Sequence, residues 1–142
     1  MALLSRKGLL AIAAVIDVAL HGRGRPVSAK ALAARHALPA RHLEPVLQAL
    51  VREGILRGIR GPHGGYELAR ERKRITADDI LRAAGTIEED GDPALVGSPL
   101  LNDVVRPAVE QAERAFSAAL GRINIEDLAR RAEPFRDTSV PP

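Results

Sequence analysis

Apolar positions along the first half of the chain recur at helical spacing and then give way to two short strands around a glycine-rich turn. Leu9, Ile12, Ile16 and Leu20 mark a first helix from Ser5 to His21, apolar on nearly all sides. Ser28 is placed to cap a short helix from Ala29 to His36. A break at Ala37-Leu38-Pro39 follows, and Pro39 suits the first turn of another helix. That helix runs to about Glu53, with Leu43, Val46, Leu47, Leu50 and Val51 on one stripe, and Gly54 stops it. The stretch Arg60-Gly61-Pro62-His63-Gly64-Gly65-Tyr66, lying between Leu56-Arg57-Gly58-Ile59 and Glu67-Leu68, then reads as two short strands joined by a glycine-rich turn that Pro62 stiffens. Helix, short turn, helix and hairpin is the order of a winged helix-turn-helix, in which the second helix of the pair enters the major groove of DNA.

The second half carries different patterns. Thr76 with Asp79 three residues on opens a helix that Gly85 ends. Thr86 to Pro99 has no regular period and reads as a linker, acidic at Glu88-Glu89-Asp90. Beyond it Leu101, Val105, Ala108, Ala112, Ala115 and Ala119 recur at steps of four and three. This is a coiled-coil-like seam, widened by Val104, Val109, Phe116 and Leu120. Pro107 inside that stretch either kinks the helix or marks its start. The seam packs either on the domain's own core or on the same helix of a second chain; dimeric helix-turn-helix proteins favour the second. Asn124 with Asp127 starts a short last helix to Ala132, and Glu133 to Pro142 reads as a frayed tail. The expected organisation is therefore mainly α with a small β-hairpin wing. A DNA-binding domain occupies residues 1–85 and a linker 86–99. A long dimerisation helix and a short C-terminal helix occupy 100–132, and a flexible tail 133–142.

Charge sharpens this picture. Residues 1–74 carry 14 Lys and Arg against 5 Asp and Glu, while residues 75–142 carry 7 against 13. A net charge of +3 thus hides a basic half and an acidic half, and the basic half coincides with the helix-turn-helix, as phosphate binding requires. Arg60 sits at the entrance to a thin tip, suited to a narrow, electronegative minor groove. Arg41 and His42 stand near the start of the groove-entering helix, where an arginine can make a bidentate contact to guanine. Arg6, Lys7, Arg52 and Arg57 are placed for phosphates. Among 142 residues there is no cysteine, which removes disulfides, thiolate metal sites and thiol catalysis. His21, His36, His42 and His63 are scattered without ligand spacing and read as surface histidines. No phosphate loop, HExxH or supported Ser-His-Asp set points to an enzyme. Arg6-Lys7 before the apolar run imitates a signal peptide, but Asp17 interrupts the run, which is also shorter than the roughly 20 residues of a membrane span. The chain is expected in the cytoplasm.

These residues together resemble the Rrf2 family of transcriptional regulators, which includes the bacterial iron–sulfur-cluster regulator. The resemblance runs from Ser5-Arg6-Lys7-Gly8 to Asn124-Ile125-Glu126-Asp127-Leu128 and is strongest over Ile59 to Leu68, with His42-Leu43-Glu44 and the Ile75-Thr76 to Asp79-Ile80 segment next. It implies a recognition helix in the major groove, a wing in the minor groove and a long dimer helix. Relatives place a carboxylate that helps choose the base where Glu44 stands. The implied DNA-facing set is Lys7, Ser28, Arg41, His42, Glu44, Arg57, Arg60, Pro62, His63 and Gly64. The dimer set is Leu101, Val105, Ala108, Ala112 and Phe116. Two departures matter. Many members hold their cluster through three cysteines between the helix after the wing and the dimer helix, and Thr86 to Asn102 has none, so no cofactor is expected. Pro45 falls inside the recognition helix, so that helix either begins later or kinks, and Glu44 shifts with it. The expected partners are double-stranded DNA and a second copy of the chain, with no membrane. The 86–101 linker leaves room for a small-molecule effector that no residue identifies. Two other readings are a winged-helix protein-interaction module and a small-molecule-sensing regulator; the basic charge and Arg60 favour DNA over the first.

Overall fold

A computed structural model of the chain describes residues 5–85 and 98–136. Helix α1 (Arg6–His21) begins at Ser5, whose hydroxyl accepts from the Gly8 amide at 3.1 Å. Its deepest positions are Ala11, Ala14, Val15 and Val18, whereas Leu9 is exposed and Ile12 and Ile16 are half-buried. Leu20 is buried and Ile12 and Ile16 pack on the core, so the buried face takes in three of the four marked positions and centres on the small residues between them, which let neighbouring helices approach closely.

Helices α2 (Ala29–Arg35) and α3 (Ala40–Arg52) form the helix-turn-helix. Ser28 caps α2 through the Ala31 amide at 3.0 Å. The chain leaves α2 through Ala37 at φ 52°, with Leu38 N–H bonded to Ala33 O and Ala37 N–H to Ala34 O. This is a Schellman turn, here built on alanine rather than glycine at a cost of about 1–2 kcal/mol. Pro39 takes the N-cap position, one residue outside the helix it was expected to begin. Leu43, Val46, Leu47 and Leu50 are buried as the stripe requires. Pro45 lies inside an uninterrupted α3, so the helix does not start late; the ring only deprives the Arg41 carbonyl of its usual donor, on the exposed face.

Strands β1 (Leu56–Ile59) and β2 (Gly65–Leu68) pair antiparallel, Leu56 opposite Leu68 and Ile59 opposite Gly65. Val27, just before α2, pairs with Tyr66 on the outer side of the hairpin, N–H to O at 2.9 and 2.8 Å in the two directions. Gly65 permits that pairing: a Cβ there would lie 2.4 Å from the Val27 carbonyl oxygen. A Cβ on Gly64 would lie 2.1 Å from the Ile59 oxygen, so the tip closes only around glycine.

Helix α4 (Ala77–Ala83) opens with a full capping box between Thr76 and Asp79. The basic segment Arg70 to Arg74 is partly structural. Arg70 donates to the Glu53 and Gly54 carbonyls beyond the end of α3, and Arg72 faces Glu126 at 3.5 Å.

Pro99 and Leu100 are already helical, a π turn follows over Leu101–Val105, and α5 (Arg106–Gly121) continues with Pro107 as its second residue. Pro107 thus stands in the first turn of α5, where its missing donor costs least, directly after the wider turn in which Arg106 N–H reaches Leu101 O. Residues 86–97 of the expected linker lie outside the described residues. Helix α6 (Ile125–Ala132), capped by Asn124, returns to α1 and places Ile125 and Ala129 in the main core. Sequence patterning grouped this helix with the dimer helix, yet its packing joins it to the first 85 residues. Ala77 N–H to Ile123 O and Ile125 N–H to Ile75 O, both 2.8 Å, fix the return. Glu133–Phe135 adds one 3₁₀ turn where the tail was expected to fray, and residues 137–142 lie outside the described residues.

Candidate nucleic-acid interface

The outward side of α3 carries Arg41, His42, Glu44, Pro45, Gln48 and Arg52, all exposed, because the stripe from Leu43 to Leu50 turns the opposite side inward. None of the polar side chains in this set makes an ion pair or hydrogen bond to another described residue. Gln48 was not singled out from sequence, although its spacing of four residues from Glu44 and seven from Arg41 on one helix face was visible there. Its amide can pair with an adenine edge.

The wing tip exposes Arg60, Pro62 and His63, and Gly64 folds under it with its N–H on Gly61 O at 3.0 Å. Arg57 is committed differently: it pairs across the strands with Glu67 at 2.8 Å. An exposed pair of this kind contributes about 0–1 kcal/mol, so a phosphate can compete for Arg57. Lys7, in the first turn of α1, is exposed and unpaired among the described residues. Ser28 spends its oxygen on the α2 cap, which leaves its hydroxyl proton for a ligand.

Behind this surface lies a polar cluster that sequence reading missed. Asp17, 4% exposed, accepts from Arg35 through Nε at 2.9 Å and a terminal nitrogen at 2.6 Å, and meets His36 Nε2 at 2.8 Å. Burial opposes ionisation of Asp17, but the His36 and Arg35 hydrogen bonds and the attraction of both groups outweigh it. The carboxyl therefore sits below its ordinary value, and the Arg35 guanidinium above its own. His36 is thus a partner that joins α1 to the end of α2, not the surface histidine expected. An isolated Asp in an apolar run was the available signal.

The expected dimer set divides. Leu101, Val105, Ala108 and Ala112 are exposed, together with Leu100 at 67%, Val104 at 59% and Val109 at 51%. Phe116 is not on that surface: it packs on Ala77, Leu81 and Leu120 of its own chain, where Ser117 also donates to Asp78 at 2.7 Å.

The family model whose description reads iron-dependent transcriptional regulator, Rrf2, matches residues 4–131. The chain belongs to the Rrf2 family of transcriptional regulators, not to an enzyme family. It is 34% identical to Protein rrf2 of Nitratidesulfovibrio vulgaris, over 83% of this chain and 81% of that one. It is 35% identical to the HTH-type transcriptional regulator IscR of Xenorhabdus nematophila, over 92% and 80%. Among solved structures it resembles CymR, the global cysteine regulator of B. subtilis, with TM-score 0.71 and 28% identity over 89% of this chain and 95% of that one. T. potens IscR matches with TM-score 0.71 and 29% identity over 96% and 92%. These likenesses bear out the winged-helix architecture read from the hairpin and the tandem helices.

For the iron that the family description implies, the described residues offer no fitting donor set. The chain has no thiolate to offer, and among the described residues no three His, Asp or Glu side chains gather where an ion could sit. Among the described residues no helix is long and apolar enough to cross a membrane.

Proposed function

We propose that the protein is a cytoplasmic, sequence-specific DNA-binding regulator that reads a dyad operator as a homodimer, without a thiolate-held cluster. The observation that carries this is the outward face of α3: Arg41, His42, Glu44 and Gln48 stand exposed without a partner among the described residues, on the second helix of a helix-turn-helix. Polar groups left unpaired on a rigid helix are what base-edge readout needs, since a groove supplies the missing donors and acceptors. Arg60 at the wing tip brings a permanent charge to the neighbouring minor groove. The exposed apolar residues from Leu100 to Ala112 support pairing with a second copy, which would set two reading heads at a fixed spacing. Selection of bound fragments from a random DNA pool tests the reading. A two-fold symmetric consensus is expected, and recovery of unenriched sequence would overturn it.

A further inference from the structure

Between the end of α1, the loop before α2, α2 itself and the wing tip lies a cleft of about 640 Å³. His21, Arg25, Ser28, Arg35, His63 and Gly64 form its polar rim, the rest of the lining is small and apolar, and no acidic residue lines it. The geometry points to a phosphate-binding notch in this cleft. The inference rests on the DNA-binding reading above and adds to it a site built from His21, Arg25 and Arg35.

Three features support the notch. Its walls are fixed relative to one another, because the Val27–Tyr66 pairing ties the wing to the loop that precedes α2. Its donor side chains are differently engaged. Arg35 is held by Asp17 through Nε and one terminal nitrogen, leaving the other terminal nitrogen for a ligand; Arg25, His21 and His63 have no side-chain partner among the described residues. Half of the other arginines of the described residues, Arg57, Arg70, Arg82 and Arg130 among them, are paired with carboxylates. A concave site with one sign of charge and no counter-charge on its rim concentrates anions, and guanidinium and imidazole donors suit the oxygens of a phosphate. The third feature is position. The wing tip forms one wall and α2 of the helix-turn-helix another, so a ligand here would contact the wing and the helix-turn-helix at once. The phosphate has two sources, a phosphodiester of the DNA backbone or free inorganic phosphate.

The test uses the full chain and two arms. In the first, operator fragments carrying single neutral methylphosphonate substitutions are titrated against the wild type, Arg25→Ala and His63→Ala. One position per half-site should weaken wild-type binding severalfold and have no further effect on Arg25→Ala, whose salt slope should fall by about one. In the second, inorganic phosphate is titrated at constant ionic strength while the imidazole proton resonances are followed. Shifts at His21 and His63 that vanish in Arg25→Ala would assign the notch to free phosphate. If the wild type binds its operator with steep salt dependence, yet no substituted position is lost in the variants and no imidazole responds, the notch is wrong and the DNA reading stands. If the wild type shows no salt-dependent DNA binding and phosphate shifts no imidazole, both fall together.

Discussion

Asp17 and Pro45 are the two residues whose placement most departs from a generic helix, and each makes a separate prediction. Asp17 spends both carboxylate oxygens on Arg35 and His36 while almost wholly enclosed. Asp17→Asn leaves Arg35 without its counter-charge, and because Arg35 keeps some solvent contact the cost should be about 1–3 kcal/mol. The folded carboxyl lies below its unfolded value. Its contribution is therefore complete above the ordinary carboxylate range near pH 4 and is lost as pH falls through the folded value. Urea unfolding should show the variant weaker at neutral pH, with the gap to wild type closing in acid. A gap that stays constant would refute the assignment. Pro45→Ala restores a donor to the Arg41 carbonyl on an exposed helix face, offset by the loosening of the unfolded chain. A net gain of about 1–2 kcal/mol in chemical denaturation is expected, and no gain would mean that water already satisfies that carbonyl.

At the scale of elements, the helix that follows residue 98 is the least self-sufficient. Its C-terminal end is anchored: Phe116 and Leu120 pack on α4, and Asp78, Arg82 and Ser117 bond to one another. Its first turns expose Leu100, Val104, Val105 and Val109 on the isolated chain. Apolar residues so concentrated are uncommon on a monomer surface. Val105→Glu combined with Ala112→Glu places charge on this surface without touching the anchored end, and should convert a dimer to a monomer in sedimentation velocity at micromolar protein. A wild type that sediments as a monomer under the same conditions would sink the dimer proposal. Phe116 is unsuited to this test, since its loss would loosen α5 from α4 rather than separate two chains.

For the whole molecule, the governing quantity is the asymmetry of charge, 14 cations against 5 anions before residue 75 and the reverse tendency after it. Base readers and phosphate anchors differ in how they use that field. Arg41→Ala should cost about 1–3 kcal/mol on the operator and relax preference at one base pair per half-site. Arg60→Ala should weaken binding most where the wing meets A·T-rich flanks. Lys7→Ala should weaken operator and scrambled DNA alike and flatten the salt dependence by about one unit. Fluorescence anisotropy on both DNAs at several salt concentrations separates the three. Equal losses on both DNAs for every variant would dissolve the distinction.

Local signals were enough for the helix-turn-helix and its wing. The caps at Ser28, Thr76 and Asn124 and the stripe from Leu43 to Leu50 depend on residues within a turn or two of one another, and they lie where the pattern puts them. The glycine-rich tip is equally local, because Gly64 admits the Ile59 oxygen five residues away. What the sequence did not disclose depends on residues far apart in the chain. The partners of Asp17 lie 18 and 19 residues on, and Phe116 belongs to its own chain because α4 meets it. Helix α6 crosses back to α1, and the basic cleft needs the end of α1, α2 and the wing together. Periodicity records that a face is apolar but not which surface covers it, and composition records a charge but not its partner. Only the closing of the chain on itself decides those.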